Sequence, residues 1–318
     1  MRGVLVANLV TQVAIVVTGG GVRLTGSGLG CPTWPQCVPG SYRPVVEQAE
    51  GIHSGIEFGN RMLTGVVGLT ALAALAVTVL LVRQGRSRSL LLLGAAPLLG
   101  VVLQAVIGGI TVLTHLHPAT VATHFLVSMV LVAVSTALLD RAVRPDAPRH
   151  PVVPRAVLRL GRALVPVAAL ILVLGTVVTG SGPHSGDADT PARFGFDPAL
   201  VSRVHADTVL VFVAGVVVLL VAVHRLGAPA PTRRRVAVLL AVTLTQGLVG
   251  YVQYLTGLPE ALVAAHMLGA ALLVVALTRA LGGLRLPAAP VGPALAAPPS
   301  RLEPSAVRRD TPRRAVSS

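Results

Sequence analysis

The chain has 318 residues, of which 53% are hydrophobic and only 12% are charged, and its mean hydropathy is +0.78. A soluble domain carries about 25% charged residues, so this composition excludes a soluble globular enzyme and a disordered protein and indicates a polytopic membrane protein. The formal net charge of +14 is typical of nucleic-acid binding in soluble proteins, but in a membrane protein the positions of the arginines decide its meaning.

Eight apolar runs are long enough to cross a bilayer, at ~20 residues for each helix. The predicted spans cover residues 4–20, 62–82, 90–113, 119–139, 163–180, 200–223, 236–256 and 261–281. They predict an all-α, polytopic membrane protein with eight transmembrane helices.

An internal repeat divides these helices into two sets. A shift of 142 residues places Gln104–His124 on Gln246–His266 without a gap, which predicts two pseudo-symmetric four-helix bundles arranged as parallel repeats. Four segments are expected: an N-terminal half (1–140), a cytoplasmic linker (141–162), a C-terminal half (163–281) and a disordered basic tail (282–318).

The arginines fix the expected orientation. All 26 basic residues are Arg, and 21 of them fall on one side of the membrane if the N-terminus is cytoplasmic. The positive-inside rule therefore places both termini in the cytoplasm. The excess charge is then explained by topology and by anionic lipid head groups, and no nucleic-acid partner is expected. Abundant Ala, Val and Arg without Lys favour a multi-pass protein of a bacterial plasma membrane.

Ionisable residues in membrane spans cost about 2.5–3.5 kcal/mol each on insertion scales, so they are functional candidates. The candidates here are Glu57, His124, His205, Asp207 and His266. His205 and His266 lie at one depth on two helices of the second half. They are predicted to be an axial ligand pair for haem iron, and the alternative is that each ring only hydrogen-bonds a helix carbonyl.

The first half is asymmetric. It has His124 where the repeat has His266, but Asn60 where the repeat has His205. Asn is a poor iron ligand, so a haem in this half would be held from one side or by a weaker sixth ligand. Glu57 lies three residues before Asn60 and can serve as a base or stabilise positive charge, or it can pair with Arg61.

The first outer loop contains the sequence CPTWPQC, with Cys31 and Cys37 at its ends. A disulfide is favoured on the outer side of a membrane, and a reactive thiol pair or a metal site are the alternatives. Four further histidines are predicted in outer loops, either as solvated side chains or as a metal site, and their role stays open: His53, His115, His117 and His184.

Several of these motifs resemble the haem A synthase family of cytochrome oxidase assembly enzymes. They are GGGVRLTGSGLGCPTWPQC (Gly19–Cys37), IEFGNR (Ile56–Arg61), and the two repeated segments that contain His124 and His266. The resemblance covers about residues 4–281. It implies an eight-helix membrane oxidoreductase that oxidises the C8 methyl group of haem O to a formyl group, which makes haem A for cytochrome oxidase.

The resemblance also implies roles for individual residues. Haem b is the cofactor, with its iron bound by His205 and His266. Haem O is the substrate, and it enters the first half, where His124 matches a ligand of its iron. Glu57 matches a catalytic carboxylate, and Cys31 and Cys37 match a cysteine pair of the family.

The partners that the resemblance implies are haem O, the lipid bilayer, the haem O synthase and cytochrome oxidase assembly factors. A homo-oligomer is compatible with the sequence, which does not define the oligomeric state. Better-known members of the family have His where this chain has Asn60, so the second axial ligand of the substrate haem stays open. Arg23, Arg61 and Arg203 are candidate partners for haem propionates, or interface anchors.

Two other functions use the same features. A membrane b-type cytochrome that only transfers electrons needs the histidines but not Glu57 or an asymmetric second site. A transporter also has parallel repeats, but it needs no haem. The sequence does not reveal the electron donor or the source of the oxygen atom.

Overall fold

A computed structural model of the protein describes residues 1–45, 49–144, 146–184, 186 and 192–287. This part of the chain contains eight α-helices: α1 (Arg2–Leu24), α2 (Ile52–Arg83), α3 (Ser89–Leu113), α4 (Pro118–Ala142), α5 (Arg155–Ser181), α6 (Pro198–Arg225), α7 (Ala230–Leu255) and α8 (Glu260–Gly283). Each of them is long and apolar enough to cross a membrane. The prediction of an all-α, multi-pass membrane protein is therefore confirmed.

Three helices begin at least six residues earlier than the apolar runs suggested. α2 begins at Ile52 instead of residue 62, α5 at Arg155 instead of residue 163, and α7 at Ala230 instead of residue 236. An apolar run ends at the first polar residues, whereas a helix continues because its backbone hydrogen bonds do not depend on side-chain polarity. As a result Glu57 and Asn60 lie within α2, where their position relative to neighbouring helices is fixed.

The linker and the start of the predicted tail pair with each other. Strand β1 (Arg149–Pro151) and strand β2 (Arg285–Pro287) form a two-stranded antiparallel sheet. Residues 282–287, which the sequence assigned to a disordered tail, therefore belong to the end of α8 and to β2. Residues 288–318 lie outside the described residues, and the disorder expected there stays a prediction.

Each half of the molecule is a ring of four helices. Consecutive helices pack side by side, and the first helix of each half also packs against the fourth. α2 and α4 therefore lie diagonally across the first ring, and α6 and α8 across the second. The two halves meet mainly where α4 and α1 pack against α8, and where α4 packs against α5.

The repeat extends to the backbone of the connecting turns. The α3–α4 turn has positive φ angles at His115 (49°) and Leu116 (55°), and the α7–α8 turn has them at Gly257 (79°) and Leu258 (63°). Leu116 donates its N–H to the carbonyl of Thr111 at 2.9 Å, and Leu258 donates its N–H to the carbonyl of Gln253 at 2.7 Å. The two halves therefore share one turn conformation, although His115 stands where the other half has Gly.

The apolar core of the second half lies away from its histidines. The fully buried side chains of α6 are Phe212, Val216, Leu219 and Val223, and α6 has no buried residue before Phe212. α8 likewise has no buried residue before Ala271. The histidines of this half therefore lie outside its fully buried apolar core.

Candidate functional site

The two histidines of the second half lie at matching depth on diagonal helices. His205 is seven residues after Pro198 on α6, and His266 is six residues after Glu260 on α8. At 1.5 Å per residue, both lie about 9–11 Å from the start of their helix. Both are half-buried, and their helices lie diagonally across the same ring of helices.

Each of these rings lies against a glycine of the preceding helix. A Cβ atom added to Gly250 on α7 would be 3.1 Å from Cε1 of His266, and one added to Gly175 on α5 would be 3.4 Å from Cε1 of His205. Nδ1 of both rings is buried and lacks a hydrogen-bond partner among the described residues, although the Ile171 carbonyl lies beside the His205 ring. The glycines thus leave room for the edge of the imidazole that carries Nδ1.

His124 has the same surroundings in the first half. It lies six residues after Pro118 on α4, and a Cβ atom added to Gly108 on α3 would be 3.2 Å from its Cε1. Its Nδ1 is also buried, and no residue in the described ranges pairs with it. The equivalence of His124 and His266, predicted from the repeat, therefore extends to their contacts.

Asn60 occupies the fourth position of this kind. It lies eight residues after Ile52 on α2, and the glycine of the preceding helix that faces it is Gly19, whose added Cβ would be 3.8 Å from Nδ2 of Asn60. The Oδ1 atom of Asn60 is buried and has no partner in the part of the chain that the structure describes. Asn60 thus takes the place that His205 has in the second half.

Two glutamines link the histidine-bearing helices to their neighbours. Gln104 on α3 donates from Nε2 to the backbone carbonyl of His124 at 2.9 Å, and also contacts the hydroxyl of Ser128. Gln246 on α7 donates in the same way to the carbonyl of His266 at 2.6 Å. The repeat matched these glutamines in the sequence, but it gave no indication that they contact the histidines.

Glu57 is buried, with 6% of its surface exposed. Its Oε2 accepts the backbone N–H of Cys31 at 2.7 Å. Its Oε1 accepts from Nη2 of Arg61 at 2.6 Å and from Nε at 3.0 Å. Of the roles considered from the sequence, pairing with Arg61 is thus present, and the role as a catalytic base stays a prediction.

The first outer loop is closed by a disulfide and held by α2. Cys31 and Cys37 are bonded, with S–S 2.06 Å, and both are fully buried. Nη2 of Arg61 donates to the carbonyl of Cys31 at 2.8 Å, and the ring of Trp34 lies against Gly109 on α3. The loop therefore covers the first ring at the end where Glu57 lies.

The loop histidines do not assemble into a metal site. Within the described ranges, no group of three His, Cys, Asp or Glu residues could hold a metal ion. His115 and His117 are exposed, and Nδ1 of His117 accepts the N–H of Ala119 as a helix cap. His53 is hydrogen-bonded to Ser27 at 2.7 Å. These contacts favour local structural roles.

The remaining charged candidates differ in their surroundings. Asp207 and Arg203 are exposed, and Arg61 is engaged with Glu57 and the disulfide loop. Arg23 is half-buried and donates from Nη2 to the carbonyl of Thr179 at 3.0 Å, while its Nε is buried without a partner among the described residues. Arg23 is therefore the best placed of the three arginines to bind an additional anionic group.

The chain is similar to a known protein family and to a named protein of a bacterium. The family model for cytochrome oxidase assembly protein (COX15-CtaA) matches residues 2–185. A protein named heme A synthase from Lysinibacillus sphaericus (strain C3-41) is 36% identical over 127 residues, which is 39% of this chain and 39% of that relative. The alignment thus spans about two fifths of the relative's length.

The family match covers the first half of the molecule and the whole of α5. It includes the disulfide loop, Glu57, Asn60 and His124, whereas His205 and His266 lie beyond it. Those two histidines are connected to the matched region by the internal repeat and by the contacts with Gly and Gln that they share with His124. Because the match extends over more than half of the chain, the protein belongs to the cytochrome oxidase assembly protein family.

Proposed function

We propose that this protein is a haem A synthase, a membrane oxidoreductase that oxidises the C8 methyl group of haem O to a formyl group and so makes haem A for cytochrome oxidase. The observation that carries the proposal is the repeated histidine site. The first copy, Asn60 and His124, lies within the region that the family model matches, and the buried carboxylate of Glu57 is one turn from Asn60 on α2. The second copy is the pair His205 and His266. The name of the relative from Lysinibacillus sphaericus supports the same activity.

The second half would hold haem b, with His205 and His266 binding its iron. The fit of these residues to iron is supported by three features: two half-buried imidazoles on diagonal helices, a glycine beside each ring, and the absence of buried side chains at this end of α6 and α8. Neutral imidazoles suit haem iron. When bound, this haem supplies electron transfer.

The first half would bind haem O. His124 would ligate its iron, and Glu57 lies one turn before Asn60 on the helix diagonal to that of His124. Arg23 can bind a propionate, because Arg pairs well with carboxylates and its buried Nε has no partner in the described ranges. The disulfide loop would cover this end of the ring.

The buried carboxylate is the group best placed to handle a proton in the first half. Both oxygens of Glu57 are already hydrogen-bonded, to Arg61 and to the N–H of Cys31. These partners hold the carboxylate in one orientation, which is what a catalytic group requires. Conversion of the methyl group to a formyl group removes four electrons in two two-electron hydroxylations, each of which requires an external oxidant and adds one oxygen atom; the resulting hydrated aldehyde then loses one of these oxygen atoms as water.

The expected setting is a bacterial plasma membrane with both termini in the cytoplasm. The Cys31–Cys37 disulfide supports this orientation, because disulfides persist in oxidising surroundings such as the outer side of a bacterial plasma membrane. The haem O synthase is the natural partner, since it makes the substrate, and cytochrome oxidase assembly factors would receive the product.

Analysis of extracted haems tests the proposal. The protein is expressed in cells that supply haem O but lack a haem A synthase, and the haems of the purified protein and the membranes are separated and identified by mass. We expect hydroxylated haem and haem A. A folded, haem-loaded protein that yields only haem O and haem b would instead be an electron-transfer cytochrome, and a colourless protein would support a transporter.

A further inference from the structure

The two halves differ at one of their four ligand positions. His124, His205 and His266 each lie against a glycine of the preceding helix, and Asn60 does the same against Gly19. The repeat therefore places a carboxamide at the position where the second half has an imidazole. This difference determines how each half can hold an iron porphyrin.

A carboxamide cannot replace an imidazole as an iron ligand at this position. The terminal atoms of Asn are two bonds from Cβ, whereas Nε2 of His is three bonds from it, so Asn60 reaches less far into the ring of helices. Amide oxygens also prefer hard cations such as Mg²⁺ and Ca²⁺, whereas imidazole suits iron. A haem in the first half would thus have a strong protein ligand on the His124 side only.

The charged side chains and the other histidines described in the first half are engaged elsewhere or exposed. Both oxygens of Glu57 are hydrogen-bonded, and Arg61 donates to Glu57 and to the disulfide loop. His53 is hydrogen-bonded to Ser27. The other histidines of the first half, His115 and His117, are exposed in the α3–α4 turn.

The Asn60 side chain is nevertheless equipped to bind a small molecule. A carboxamide has both donor and acceptor atoms, and the Oδ1 of Asn60 is buried and unpaired with any described residue. A buried polar atom that lacks a hydrogen bond carries a free-energy cost. A water molecule bound beside Asn60 would remove this cost by donating a hydrogen bond to Oδ1.

We propose that the first half binds its haem through His124 alone and leaves the face toward Asn60 free for an exchangeable small neutral ligand, normally water, that is hydrogen-bonded to the Asn60 carboxamide. The second half, with His205 and His266, has no free face. This inference rests on the proposed function and adds to it: the substrate site accepts exogenous ligands, and the cofactor site does not.

Carbon monoxide binding to the reduced protein tests the inference. The full-length protein is purified in detergent and loaded to two haems per chain, with the ratio measured by haem and protein assays. We expect one carbon monoxide per chain, seen in the difference spectrum. The Asn60→His variant should lose carbon monoxide binding at least about tenfold and show two six-coordinate haems.

Two further variants test the inference even if Asn60→His does not fold. His205→Asn should open the second half and raise the uptake to two carbon monoxide molecules per chain. Asn60→Ala should keep one molecule per chain but release it faster, because the hydrogen bond from the carboxamide is lost.

The outcomes separate the inference from the proposed function. A wild-type protein with two haems and no carbon monoxide binding overturns the inference alone, as does unchanged binding in folded Asn60→His. A chain that takes up only one haem has no porphyrin site in the first half, which overturns both the inference and the proposed substrate site.

Discussion

Substitution of Gly250 by Ala tests whether the glycines beside the histidines are required for haem binding. The added Cβ would lie 3.1 Å from Cε1 of His266, whereas carbon atoms prefer separations of about 3.5–4.0 Å. Either the ring or the helix must therefore move. The His266 carbonyl is held by Gln246 at 2.6 Å, so we expect the imidazole to rotate rather than the backbone to shift.

Overpacking of this kind costs about 1–3 kcal/mol. Each 1.4 kcal/mol is a factor of ten in an equilibrium constant, so haem affinity in the second half should fall by about five- to 140-fold. The assay is titration of the haem-free protein with haem, followed by the reduced-minus-oxidised spectrum. Gly175→Ala should have a smaller effect, because its Cβ would be 3.4 Å from the His205 ring.

Gly247→Ala is the matched control, because it lies on the same helix and a Cβ added there meets nothing within 4 Å. Both substitutions raise helix propensity by up to about 1 kcal/mol, but the Cβ of Gly247→Ala does not contact the His266 ring. If Gly250→Ala binds haem as tightly as Gly247→Ala, the glycine contact does not position the histidine and the reasoning is refuted.

Three further predictions concern the proposed haem ligands, Glu57 and an ion pair between the two halves. His205→Ala and His266→Ala should each abolish the spectrum of a six-coordinate haem b while the protein remains folded by circular dichroism; an unchanged spectrum removes the ligand assignment. Glu57→Gln should leave that spectrum intact but lower haem A formation at least about tenfold in extracted haems, and full activity would exclude a catalytic carboxylate. Asp140 on α4 accepts from Arg235 on α7 at 3.0 Å, with side chains 11% and 18% exposed. Asp140→Asn should lower the free energy of unfolding by about 1 kcal/mol, measured by thermal unfolding, and leave the haem spectrum unchanged. If the stability does not change, this ion pair does not help to hold the two halves together.

Much of the fold was predictable because a membrane restricts the chain to long apolar helices. The eight spans, the repeat and the equivalence of His124 with His266 follow from hydropathy and from one ungapped alignment. The starts of α2 and α5 were not predictable in this way, because helices extend into polar sequence. This matters for Glu57 and Asn60, which lie outside the predicted span at 62–82.

The contacts between helices could not be predicted from the sequence. The sequence also contains VVTGG (Val16–Gly20) and VVTGSG (Val177–Gly182), and matching them aligns Gly19 with Gly180. The contacts with the side chains at the ligand positions instead make Gly19 equivalent to Gly175. Gly180 instead packs against Phe194. A short match on either side of loops of different length cannot fix helix register, so only the three-dimensional packing reveals which glycine faces each ligand position.

The surroundings of Glu57 were also only partly predictable. Pairing with Arg61 follows from their spacing of four residues on one helix. The hydrogen bond to the N–H of Cys31 spans 26 residues and depends on how the disulfide loop folds back onto α2. No periodicity or motif in the sequence encodes that contact.

The most direct test of the central claim is the identity of the haem made by cells that supply haem O and depend on this protein for its oxidation. The account predicts that wild-type protein produces haem A, and that His124→Ala, which removes the proposed ligand of the substrate iron, produces none. Membranes that contain folded wild-type protein with bound haem, yet accumulate haem O without any hydroxylated or formyl product, would contradict it.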